Sequence, residues 1–188
     1  MALKQRTLTL VSGLLLSIGV SASSFEGSLS DESVKADLSI SQGTYFFDAG
    51  GMYHTDDGTY GYVGAHIEDK DTKKDYPLQI GLGARLMGVD ADLGNNDAGM
   101  ALALGGFYRY TFPKANRFSL HASLYYAPRV LSFENINKLY QAEVRGEYRT
   151  LRNARVFVRY GLTSVDFSRL DKQHEMNNGV GIGVAATF

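Results

Sequence analysis

Four histidines and a run of alternating charges are the parts of this sequence whose residue types could do chemistry. His121 and Ser123 form the best nucleophile-and-base candidate. Residues two apart on a strand point to one face, and a histidine beside a serine hydroxyl can activate it for acyl transfer. Spacing assigns no acid partner to that histidine. His54, His66 and His174 are scattered, without the paired spacing of a metal motif, and no glycine loop suited to phosphate follows a strand. Cysteine is absent, which removes thiol catalysis, thiolate metal sites, disulfides and a lipidated cysteine. The expectation is a protein with no catalytic residue, no cofactor and no metal.

The charges carry a stronger signal. Gln141, Glu143, Arg145, Glu147 and Arg149 alternate with Tyr140, Ala142, Val144 and Tyr148, and after a short turn Arg155, Arg159 and Thr163 alternate with Val156, Val158, Tyr160 and Leu162. A period of two is that of a strand with one apolar and one charged face. Neighbouring strands place Glu143 and Glu147 near Arg155 and Arg159, within reach for cross-strand pairing. Arg85, Arg109, Lys35, Asp37 and Asp48 fall on the same kind of face of other strands. If that face is enclosed, its charges must be paired. Arg85, Arg109, Glu143, Arg145, Glu147, Arg149, Arg155 and Arg159 are therefore expected to form a salt-bridge network filling an interior, in preference to a selectivity lining.

The elements that would position these residues are all strands. From Asn178 onward, Asn178, Val180, Ile182, Val184, Ala186 and Phe188 alternate with Gly179, Gly181, Gly183, Ala185 and Thr187. Leu78 to Leu86, Met100 to Phe112 and Phe118 to Tyr126 repeat the pattern, with glycine, alanine, serine or arginine opposite the apolar set. Val34 to Ser41 and Tyr45 to Tyr53 do so too, and a strand through Val63 and Ile67 follows, its face left open by Tyr60 and Tyr62. Glu68 to Asp75, Gly88 to Asp97, Pro128 to Asn137 and Ser168 to Gln173 read as connections, and Gln42-Gly43, Pro113 to Asn116 and Thr150 to Asn153 as tight turns. The run that closes on Phe188 resembles the last strand of bacterial outer-membrane barrels, whose terminal aromatic residue is read by the barrel-assembly machinery.

Totals agree with this reading. The 188 residues suit one domain, 21 glycines, 12 tyrosines and only 3 prolines suit turns and pleated surfaces, and a net charge of −1 points to no nucleic acid. Residues 1–22 combine Lys4 and Arg6, an apolar stretch and Val20-Ser21-Ala22, the pattern of a cleaved signal peptide. Residues 23–188 then form an antiparallel transmembrane β-barrel, in which only alternate residues meet lipid. Nine strands are well marked from Val34; bacterial single-chain barrels have even counts, so a short first strand through Phe25, Gly27 and Leu29 would make ten. Eight, with a detached N-terminal segment, is the alternative. Tyr110, Phe112, Phe118, Tyr148 and Phe188 would form one aromatic girdle and Tyr53, Tyr126 and Tyr140 the other.

Tyr125-Tyr126-Ala127-Pro128, the turn region His54-Thr55-Asp56-Asp57-Gly58 and the closing Gly181-Ile182-Gly183-Val184-Ala185-Ala186-Thr187-Phe188 resemble the YfaZ family of small outer-membrane proteins. That resemblance implies an outer-membrane barrel, exported and inserted among outer-membrane lipids, and brings no catalytic residues. The expected function is structural or surface-interacting, with a side-chain-filled lumen. A porin-like channel for small solutes is the alternative, and a lipid hydrolase built on His121 and Ser123 a third.

Overall fold

The computed structural model describes residues 23–71, 77–91, 98–168 and 173–188. The expected signal peptide, residues 1–22, lies outside the described residues. Eleven strands form one antiparallel sheet: β1 (Ser23–Leu29), β2 (Ser33–Gln42), β3 (Tyr45–His54), β4 (Gly58–Asp71), β5 (Leu78–Asp90), β6 (Ala98–Thr111), β7 (Phe118–Ala127), β8 (Ser132–Glu134), β9 (Ile136–Leu151), β10 (Ala154–Phe167) and β11 (Gln173–Thr187). β1 pairs with β11 and β5 with β6, so the sheet closes on itself. Setting aside the three-residue β8, ten strands make the wall, β1 being the expected short first one. The eight-strand alternative fails because residues 23–29 are hydrogen-bonded on both sides, to β2 and to β11.

Several connections are shorter than the sequence implies. Glu68 to Asp71 extend β4 and pair with residues 78–81, and Gly88 to Asp90 finish β5. Both stretches carry turn-like residues whose ladder bonds to the facing strand outweigh local preference. Thr150 and Leu151 belong to β9, leaving residues 152–153 as the turn. The expected loop 128–137 is also partly wall. Pro128 ends β7, a 3-10 turn follows at Arg129–Leu131, and β8 then continues the line of β7 along the edge of β6. Proline has no N–H to give a ladder, so the strand breaks there and resumes.

The outer surface decides what kind of barrel this is. Leu82, Val144, Val158, Val180, Ile182 and Val184 are all exposed, Ile182 at 66%, and large apolar side chains circle the wall on every full-length strand. A water-soluble protein rarely exposes a contiguous apolar patch beyond a few hundred Å². A closed barrel with alternate apolar residues turned outward is the form that satisfies its own backbone within lipid. The girdle residues Tyr53, Phe112, Phe118, Tyr126 and Phe188 are exposed, at strand ends.

The even strand count puts both Ser23 and Phe188 at one rim, where each backbone N–H bonds the other's carbonyl at 2.9 Å. We call this the turn rim, because residues 43–44, 112–117 and 152–153 also lie there; the opposite end is the loop rim. Gly43 takes φ +69° in the first of these turns, a left-handed backbone that glycine adopts without cost.

Candidate functional site

The lumen is divided along its axis. At the loop rim most buried side chains are apolar: Met52, Tyr60, Met87, Val89, Ala101, Ala103, Tyr125, Ile136, Leu139, Val165, Phe167 and Met176 form one cluster, while Ser33, His54, Thr163, Ser164 and Asn177 are polar residues buried at the same end. Each comes from the loop-rim half of its strand, as β3, β5, β7 and β10 end there and β4, β6, β9 and β11 begin there. In the register of β10 with β11 a shift between Thr163 and Ser164 turns both Met176 and Asn177 inward. That bulge is why the clean alternation of the last strand starts only at Asn178.

Below the apolar plug lies a layer of paired charges. Lys35 Nζ is 3.0 Å from Glu143 Oε2 and 3.3 Å from Asp37 Oδ2. Arg145 forks between Glu143 and Glu26, and Arg159 Nη1 stands 3.6 Å from Glu143 Oε2 while its Nε donates to Ser28 Oγ at 2.9 Å. Arg85 is held differently, between the rings of Tyr125 and Tyr62, with its carbon 3.8 Å and 4.4 Å from their centroids and one N–H donated to Gln141. Stacked aromatic faces suit the weakly hydrated guanidinium.

Toward the turn rim the lumen widens into a cavity of about 640 Å³. Asp48, His66, Glu68, Gln79, Phe107, Arg109, His121, Ser123, Arg149 and Arg155 are among its walls. His66 bridges two carboxylates, Nδ1 to Asp48 Oδ2 at 2.6 Å and Nε2 to Glu68 Oε1 at 3.1 Å, and stacks on Phe46. Small residues make room for the rings. A Cβ on Gly183 would come 2.4 Å from the ring of Phe157, its partner across the β10–β11 ladder, and one on Gly81 would come 2.1 Å from Phe107, its partner on β6.

Residues 3–188 match the family described as YfaZ precursor. The chain belongs to that family. No curated protein matches it. Among solved structures, the chain is similar to the outer membrane channel DcaP of Acinetobacter baumannii, at 16% identity over 90% of this chain and 55% of that one, with a TM-score of 0.47. It is also similar to the outer-membrane expressed OmpT of Vibrio cholerae, at 15% identity over 83% of this chain and 56% of that one, with a TM-score of 0.36. The chain spans little more than half the length of either.

In this YfaZ-family barrel, seven of the eight charged residues singled out from the sequence turn into the lumen. Glu143, Arg145 and Arg159 meet in one cluster. Glu147 takes Arg109 at 3.1 Å and Arg155 at 3.8 Å, and Arg85 sits between its tyrosines. Arg149 parts from the network: it is exposed at the turn rim and donates to the carbonyl of Asn116. The residues directly opposed on β9 and β10 are like-charged, Arg145 with Arg159 and Arg149 with Arg155, so the ion pairs to glutamate run diagonally. His121 and Ser123 both line the cavity, but among the described residues no hydrogen bond joins them and no carboxylate forms an ion pair with His121. Phe188 is exposed at the rim. Phe46, Phe107, Phe157 and His66 were not singled out by sequence; the signal for two of them is the glycine each faces.

Proposed function

We propose that this chain is an outer-membrane barrel that does not conduct, a blind vessel open toward the periplasm and shut at its cell-surface end, with a structural or surface-interacting role and no enzymatic one. The apolar plug at the loop rim carries this reading, because an aqueous path for solutes would have to cross a packed layer that includes Met87, Leu139, Val165 and Met176, all at 0% exposure. Two features support the orientation. Both chain ends of the barrel share the turn rim, and the longest connections among the described strands leave the other end, as in bacterial barrels. Its partners are then the outer-membrane lipids around the apolar belt and, during insertion, the barrel-assembly machinery.

Sidedness can be tested directly because the chain has no cysteine. Ser39→Cys, in the cavity wall, should react with a membrane-impermeant thiol reagent only when the reagent reaches the periplasm. Thr55→Cys, at the loop rim, should react in intact cells. Labelling of Ser39→Cys from outside intact cells, at the rate seen for Thr55→Cys, would mean an open lumen and end the blind-vessel reading.

A further inference from the structure

Much of the charge in the lumen is paired, and one group near the turn rim is short of acid. Lys35, Arg145 and Arg159 share Glu143, Glu26 and Asp37, and His66 sits between Asp48 and Glu68. Near the turn rim, Glu147 is the carboxylate for both Arg109 and Arg155, and the ladder partner of Arg155 is Arg149, whose side chain among the described residues donates to a backbone carbonyl alone. Three guanidiniums therefore stand with one carboxylate in ion-pair reach, Glu26 being the next acid to Arg109 and Arg155, and the group is net positive where the cavity opens. Like charges opposed across a ladder are unfavourable without an anion between them. The adjoining turns, residues 112–117 and 152–153, add Lys114, Arg117 and Arg152 and no acid.

A second, independent feature points the same way. His121 is the ladder partner of Arg109 on one side and of Arg145 on the other. Its ring stacks on Phe107 with centroids 5.4 Å apart and lines the cavity. The residue is only 6% exposed, yet its Nδ1 meets no hydrogen-bond partner among the described residues. A buried polar group without a partner is costly, and one placed in a cavity wall beside arginines is a group that awaits an acceptor.

We propose that the turn-rim cavity binds a small solute carrying an oxyanion, gripped by the guanidinium fork of Arg155, with Arg109, already engaged by Glu147 and Gln79, adding its charge and His121 donating from deeper in the wall. Planar guanidiniums match phosphate and carboxylate oxygens in pairs. The volume, about 640 Å³, lies in the range of sites that enclose small molecules. Arg117, Arg149 and Arg152 at the mouth draw anions toward it. The inference does not depend on the plug, since a solute entering from the turn rim would leave the same way.

The test uses the full barrel, carbon-13-labelled at its four histidine rings and placed in phosphatidylcholine nanodiscs, with inorganic phosphate as the probe. His121→Asn assigns the His121 signal. The expected result is a saturable movement of that signal with phosphate and none with chloride at equal ionic strength. Arg155→Ala should weaken the apparent phosphate affinity by about tenfold or more, the loss of one charge-assisted contact, and Arg155→Lys by less. Arg129→Ala, at the loop rim, should leave it unchanged. Heat-modifiable gel migration confirms that each variant is folded. An unsaturable shift, or one equal in chloride, would overturn the proposal. So would a shift seen only in phosphatidylglycerol nanodiscs without added phosphate, which would assign the arginines to lipid headgroups instead.

Discussion

Lys35 on β2 places its ammonium 3.0 Å from the carboxylate of Glu143 on β9, although β1, β11 and β10 separate those strands around the wall. The contact therefore crosses the lumen and ties two walls together. Glu143 also takes Arg145 and Arg159, so one carboxylate holds three cations in a buried layer.

Replacing that carboxylate should be expensive. Glu143→Gln leaves three buried cations short of a counter-charge, and breaking a buried pair from one side costs about 3–5 kcal/mol. Urea unfolding in lipid vesicles should show that loss. The double change Lys35→Met with Glu143→Gln should lose less than the sum of the two single changes, because one stranded cation is gone.

The ring-over-glycine contacts predict a compensating pair. Gly81→Val drives a branched side chain into Phe107 and should destabilise the barrel by about 1–3 kcal/mol, the usual scale of overpacking. Adding Phe107→Ala should restore part of the loss in the same unfolding assay. A double variant no better than Gly81→Val alone would mean that the glycine serves the backbone and not the ring.

The belt predicts a depth-dependent cost. Ile182→Arg, on the most exposed stretch of β11, should cost about 2–4 kcal/mol if that face lies near the middle of the bilayer. Val130→Arg, in the loop-rim turn between β7 and β8, should be near neutral. Equal, small effects would remove the lipid from the picture.

Much of this architecture is legible in the sequence, and the misses share a cause. Alternation assigns the outward set correctly from Leu82 to Val184 because lipid-facing residues differ in type from lumen-facing ones. It fails where the lumen itself is apolar. Met87, Val89, Val165 and Phe167 break the contrast between faces, so the ends of β5 and β10 lose their pattern and read as loop or as nothing. Phe107 and Phe157 carry no mark in the sequence for the same reason: an inward phenylalanine looks out of phase until the register sets Gly81 and Gly183 opposite. The charged candidates stand out because Glu143, Arg145 and Glu147 recur every second residue. Their partners were harder, since ladder register places Arg145 against Arg159, and the cross-lumen reach of Lys35 depends on barrel closure, which no local spacing encodes.

The plug predicts its own stability cost. Phe167→Ala removes a ring that is 2% exposed and should cost about 3–5 kcal/mol, readable in the unfolding assay. Phe133→Ala, an exposed ring of β8, should cost far less.

Single-channel recording in planar bilayers tests the central claim most directly. The unmodified barrel, shown by heat-modifiable migration to be folded and inserted, should give a flat trace. The paired variant Phe167→Ala with Met176→Ala, which thins the apolar layer, should leak or step. Discrete, reproducible steps from the unmodified protein, unaltered in the paired variant, would contradict a lumen closed at its loop rim.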